Sequence, residues 1–193
     1  YLFGRKNTML MVIPDGSIAN VARVLRTNIL LANMGISLRI INSIEDAKFL
    51  EGQEVGLSDW AVIDQHRIDQ FAEATADHQW IHVDTERAAR EMPDGKTIAH
   101  GYLTLALIPA LTSDFVEVKN LARAINFGMN KVRFYTPVPV GSRLRGRATV
   151  LQARKRAGAL MLTSEVRIEV EGQRKPACVA EVLSMYFFNE EES

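Results

Sequence analysis

Asp77 and His82 stand five positions apart, and His100-Gly101 opens a stretch that is almost entirely apolar. A carboxylate and an imidazole can trade protons near neutral pH. Gly101 is a small residue at a predicted helix start, where backbone N–H groups lack intrahelical partners and can receive developing negative charge. A proton-handling pair facing such a cradle suits the addition of water next to a thioester carbonyl. Five residues along an unbroken helix correspond to about 500° of rotation, which would hold Asp77 and His82 well apart around the axis. The pair works only if the helix ends near Asp77 and a loop through Gln79 and Trp80 folds His82 back.

The flanking pattern supplies such elements. Ile68, Phe71, Ala72 and Thr75 recur at helical spacing behind Asp64, a good N-cap, and predict a helix ending near Asp77. Thr85 to Glu91 reads as a short helix capped by Asp84 or Thr85, and Pro93-Asp94-Gly95 as a turn. Ala99 to about Asp114 leaves no continuous polar face, so this helix is expected to be surrounded by protein, with a kink or end at Pro109. Ile44 to Phe49 predicts a short helical turn, and Val55 to Ile63 a strand. From Ala124 the period changes to two. Leu144, Ala148 and Val150 alternate with arginines and a threonine; Leu160, Leu162, Val166, Ile168 and Val170 alternate with polar residues; Ala177 to Phe188 gives the last strand. A half-buried antiparallel sheet with one wet face follows. Such a sheet wrapped around the apolar helix gives an α+β architecture, with exposed edges that dimerisation would cover.

The bulk properties narrow the class. A length of 193 residues favours one domain. A formal net charge of zero argues against a nucleic-acid binder that works by neutralising phosphates. The one cysteine, Cys178, excludes an intrachain disulfide, suits a reducing, cytoplasmic compartment, and reads as a buried apolar residue. No stretch reaches the roughly 18 uninterrupted apolar residues of a membrane span. The even charge conceals an asymmetry: residues 1–44 carry five basic groups against the single acid Asp15. Residues 1–43 read as an extension containing a helix over 18–34, and residues 44–193 as a single domain. The serine enrichment of a transit peptide is missing, so the segment reads as an extension packed on the domain or as sequence upstream of a start at Met34.

The segment Phe71 to Asp84, with Asp77-His78-Gln79-Trp80-Ile81-His82 at its centre, and Ile98-Ala99-His100-Gly101-Tyr102-Leu103 together resemble the MaoC-like dehydratases, or (R)-specific enoyl-CoA hydratases, of the hot-dog fold. Ile125 to Phe134 and Pro137 to Ser142 fit the NodN-like subgroup. The likeness covers roughly residues 44–188. The broader family's signature is Gly-Asp-x-Asn-Pro-x-His; here Ala76, Gln79 and Trp80 replace its glycine, asparagine and proline, while the acid, the histidine and their spacing remain. Glycine tolerates positive φ and alanine does not, so Ala76 bears on the backbone rather than the chemistry.

The resemblance implies a curved antiparallel sheet around a central helix and a homodimer. It also implies an activity: reversible hydration of a trans-2-enoyl-CoA to a (3R)-3-hydroxyacyl-CoA in fatty acid metabolism. Asp77 and His82 would act on one water, the Gly101 amide would hold the thioester oxygen, and Gln79, His100 and Tyr102 would contact substrate. No metal or redox cofactor is expected, because the substrate itself carries coenzyme A. His100 has a second reading, as a residue that only caps or orients the helix. His78 and His82, with His100 or Glu86, imitate a metal site but lack the glutamate that follows the first histidine in a zincin. Lys131, Arg133, Arg143, Arg145 and Arg147 are candidates for coenzyme A phosphates, although arginines on a strand are more often a solvated face. Two other activities fit the same residues: a hot-dog thioesterase, which attacks the carbonyl carbon, and a non-catalytic acyl-thioester binder.

Overall fold

The computed structural model describes residues 39–189. The expected helix over 18–34, and with it most of the extension, lies outside the described residues. The chain order is β1 (Arg39–Ile41), α1 (Ile44–Lys48), β2 (Glu54–Leu57), β3 (Ala61–Val62), α2 (Gln65–Thr75), α3 (Trp80–Val83), α4 (Thr85–Glu91), α5 (Gly101–Ala106), α6 (Ile108–Thr112), β4 (Val116–Val118), β5 (Leu121–Phe134), β6 (Arg143–Arg156), β7 (Ala159–Val170) and β8 (Cys178–Phe188). Among these helices none is long and apolar enough to cross a membrane.

The main sheet has six strands in the order β2-β6-β7-β8-β5, with β3 beside β6, and every pair in it is antiparallel. The two-residue alternation of β6 and β7 becomes a burial alternation: Leu144, Ala148, Val150, Val166, Ile168 and Val170 are buried. They meet Leu103, Ile108 and Leu111 of α5 and α6 and Ile63 and Ile68 near α2 in one core. Burying a side chain of this size contributes about 1.5–3 kcal/mol, so this seam holds the helices on the sheet.

Several expectations change in detail. The single strand expected over Val55 to Ile63 divides into β2 and β3: both pair with β6 and Ser58 still bonds Gly146, but Asp59 and Trp60 fall outside either strand. The long apolar helix breaks at Leu107, where Pro109 starts a second turn instead of continuing the first. Within one chain that helix is not covered on all sides. Leu103, Thr104, Ile108 and Leu111 are buried, while Tyr102, Ala106, Pro109 and Ala110 are exposed. Arg39–Ile41, which precede the expected domain start at residue 44, pair in parallel with β4, and Ile41 is fully buried in the core.

Candidate active site

Local sequence sets the frame for Asp77 and His82. Asp64 caps α2 by accepting from the Arg67 N–H at 2.9 Å. The helix stops after Thr75, and Ala76 takes a left-handed conformation with φ of 57°. The expectation that alanine would not adopt positive φ is corrected here: the tight helix exit imposes it, at a cost of roughly 1–2 kcal/mol that glycine would not bear. The chain then reverses and α3 carries His82 back towards α2, as the broken-helix argument requires.

His82 is held through both its backbone and its ring. Its N–H donates to the Gln79 carbonyl at 2.9 Å, and its own carbonyl accepts from the Gln65 amide at 2.8 Å. The Thr97 hydroxyl donates in turn to Gln65 Oε1 at 2.5 Å. Its ring Nδ1 lies 2.6 Å from the Ile98 carbonyl, which can only accept, so Nδ1 carries the proton and the Nε2 lone pair is left for chemistry. Gln65 and Thr97 escaped the sequence reading because nothing in their local pattern marks a residue that braces another element.

One carboxylate oxygen of Asp77 and one ring nitrogen each of His82 and His100 lie within 4.8 Å of one another. That spread suits a single water, since two hydrogen bonds of about 2.8 Å reach 5.6 Å. Asp77 is exposed and His82 is buried, so the pair spans the boundary between solvent and core. Burial pushes the His82 pKa below the ordinary histidine value near 6.5, and His100 adds to that. The bond to Ile98 and the charge of Asp77 oppose the shift. The same three side chains are those among the described residues that could hold a divalent metal ion. Their ring nitrogens on backbone carbonyls would serve as outer-shell supports for such an ion, or as tautomer locks for acid–base work.

His82 and Gly101 both line a cavity of about 350 Å³, together with Ile98, Ala99, Thr104, Phe134 to Val138, and Ala177. Gly101 opens α5, so its N–H is among those without an intrahelical partner. A Cβ built on Gly101 would stand 3.3 Å from the Phe134 ring, tight enough that any side chain there must push that ring aside. Asp77, Gln79, His100 and Tyr102 are not among the lining residues. Gln79 and Tyr102 are exposed, Tyr102 lies edge-on to Phe134, and His100 is 2% exposed. The wall from Phe134 to Val138 stood out in sequence only through the family likeness of Ile125 to Phe134 and Pro137 to Ser142, with no side chain there marked as lining a cavity. Of the basic candidates, Lys131 pairs with Glu181, Arg143 with Glu171, Arg145 with Glu169, and Arg147 with Glu169 and Glu54, all at 2.6–2.8 Å. Arg133 bonds the Val132 carbonyl.

An antiparallel sheet packed on a broken apolar helix, with an acid–imidazole pair beside the helix start, is the hot-dog arrangement of hydratases and dehydratases. Residues 47–172 match the family described as MaoC like domain, and the chain belongs to that family. It is 49% identical over 150 residues to 3-hydroxyacyl-thioester dehydratase Z of Mycobacterium tuberculosis (strain ATCC 25618 / H37Rv), covering 77% of this chain and 99% of the relative. It is 42% identical over 149 residues to Nodulation protein N of Rhizobium leguminosarum bv. viciae, covering 76% and 92%. Among solved structures the fold is shared with the unliganded R-hydratase PhaJ1 from Pseudomonas aeruginosa. The TM-score is 0.56 at 24% identity, over 72% of this chain and 83% of that one. Family membership thus supports a hydratase-type enzyme.

Proposed function

We propose that the protein catalyses reversible addition of water to a trans-2-enoyl-CoA, giving a (3R)-3-hydroxyacyl-CoA. The observation that carries this reading is the placement of Asp77 and His82 within reach of one water, with His82 and Gly101 on one cavity wall. In the hydration direction the bare Nε2 of His82 takes a proton from water while the water oxygen bonds to the β-carbon. The electron pair of the C=C bond moves into the thioester carbonyl, whose oxygen is held by the Gly101 N–H. Collapse of that enolate returns the proton from the imidazolium to the α-carbon. Asp77 orients the water and supports the imidazolium by its charge. The atoms balance with one water consumed and no external oxidant or reductant. The (R) outcome and the thioester substrate follow the names of the similar proteins.

The protein works as a homodimer in this reading. β5 runs for 14 residues along the edge of the sheet with all but Val132 exposed, Ile125, Phe127 and Met129 among them. An edge that long and apolar is a template for pairing, and a second copy would cover it.

Incubation with crotonyl-CoA tests the activity. Loss of enoyl absorbance without free thiol supports the hydratase. Thiol release instead would make the protein a thioesterase, and binding without turnover would make it an acyl-thioester binder. Exhaustive dialysis against EDTA should leave the hydration rate unchanged; a rate lost to the chelator and restored by a divalent ion would reassign the Asp77, His82 and His100 cluster.

A further inference from the structure

We propose that His100 is a positioning residue: its Nε2–H holds the peptide carbonyl of Asp77 while its ring backs that of His82, so that one buried side chain sets the two reacting groups in register. This rests on the hydratase reading. His100 is the N-cap residue of α5, immediately before Gly101, and makes no side-chain cap bond there. Its ring contacts two others, stacked on His82 at 3.8 Å and 28° and tilted against Phe71 at 5.1 Å. Phe71 belongs to α2 and His82 to α3, so the imidazole is the point where three helices meet. Its Nε2 is 2.9 Å from the Asp77 carbonyl oxygen.

That carbonyl sits past the end of α2, beyond the left-handed Ala76, outside the helical ladder. A carbonyl only accepts, so Nε2 carries a proton, and in the neutral ring Nδ1 is bare. Nδ1 is fully buried and has no hydrogen-bond partner among the described residues. An imidazole kept in the core with one nitrogen unsatisfied is not there for packing alone, since leaving a buried polar atom unpaired is destabilising. The bond and the stack that it does make both end on the reacting pair. Its burial, and its absence from the cavity wall, separate this role from contact with substrate.

Two variants and one spectrum test the assignment in the full chain. His100→Gln can place an amide N–H near the position of Nε2, whereas His100→Phe keeps a flat ring for His82 but no donor for Asp77. With crotonyl-CoA, His100→Phe should lose about 10²-fold in kcat with KM within about threefold, the scale expected for a small misplacement of reacting groups. His100→Gln should stay within about tenfold of wild type. Equal rates for His100→Phe and wild type, equal damage in both variants, or a loss confined to KM would overturn the proposal. The third outcome would make His100 a substrate contact. Imidazole nitrogen NMR on the wild type decides independently of activity and of whether His100→Phe folds. A ring protonated on Nε2 and bare on Nδ1 is expected; the opposite tautomer removes the bond to Asp77. An inactive wild type would defeat the hydratase reading while leaving the tautomer measurement to judge the geometry.

Discussion

His82 is buried beside a carboxylate and against a second imidazole, and its titration shows in two ways. With its pKa held below about 6.5 by burial first and His100 next, neutral His82 should persist on the acid side of neutrality. The acid limb of the hydration rate should therefore have its midpoint below 6.5; a midpoint above 7 would contradict the arrangement. The same shift acts on stability. Between the lowered folded value and the unfolded value near 6.5 the unfolded chain binds more protons, so this residue stabilises the fold above that window and ceases to as pH falls through it. Replacing Asp77 with Asn or His82 with Ala should each lower kcat by roughly 10²–10⁴-fold while the circular dichroism spectrum is kept. The proposed reacting pair was legible in the sequence because its spacing matches a family signature. The bracing of His82 was not, because Gln65, Thr97 and the Ile98 carbonyl act across contacts that only folding creates.

Elements carry the next constraint. The left-handed Ala76 at the end of α2 is strained where the family signature has glycine, so Ala76→Gly should stabilise the protein by about 1 kcal/mol, read from chemical denaturation. Gly56 in β2 is the opposite case: a Cβ there would stand 2.3 Å from the ring of the buried Phe115. Gly56→Ala should destabilise by roughly 1–3 kcal/mol, and a variant as stable as wild type would show that Phe115 can move away. The capped helices α2 and α4 and the long strands were readable from caps and period. The split between β2 and β3 was not, since a short break in a ladder leaves no mark in the residue pattern. Nor was the parallel pairing of β1 with β4, which joins two short segments far apart in the chain with no period of their own.

At the scale of the whole molecule, the expectation of an apolar helix covered all round meets a single chain that leaves Tyr102, Ala106, Pro109 and Ala110 in the open and an edge strand exposed at every residue but Val132. Sequence periodicity reports that a surface must be covered, and not whether the same chain covers it. Light scattering should give twice the chain mass, and Phe127→Glu should shift the protein towards monomer; a monomeric wild type would remove the edge-pairing proposal. Cys178 offers a different use of the same architecture. Its thiol is fully buried at the start of β8, next to Ala177 of the cavity wall, and burial pushes its pKa up to about 11. Disulfide reagents attack thiolates, so the native protein should stay silent towards Ellman's reagent, and colour should develop only as fast as the sheet opens. A lone sulfur thus becomes a built-in clock for breathing of the fold, one that a bound ligand should slow.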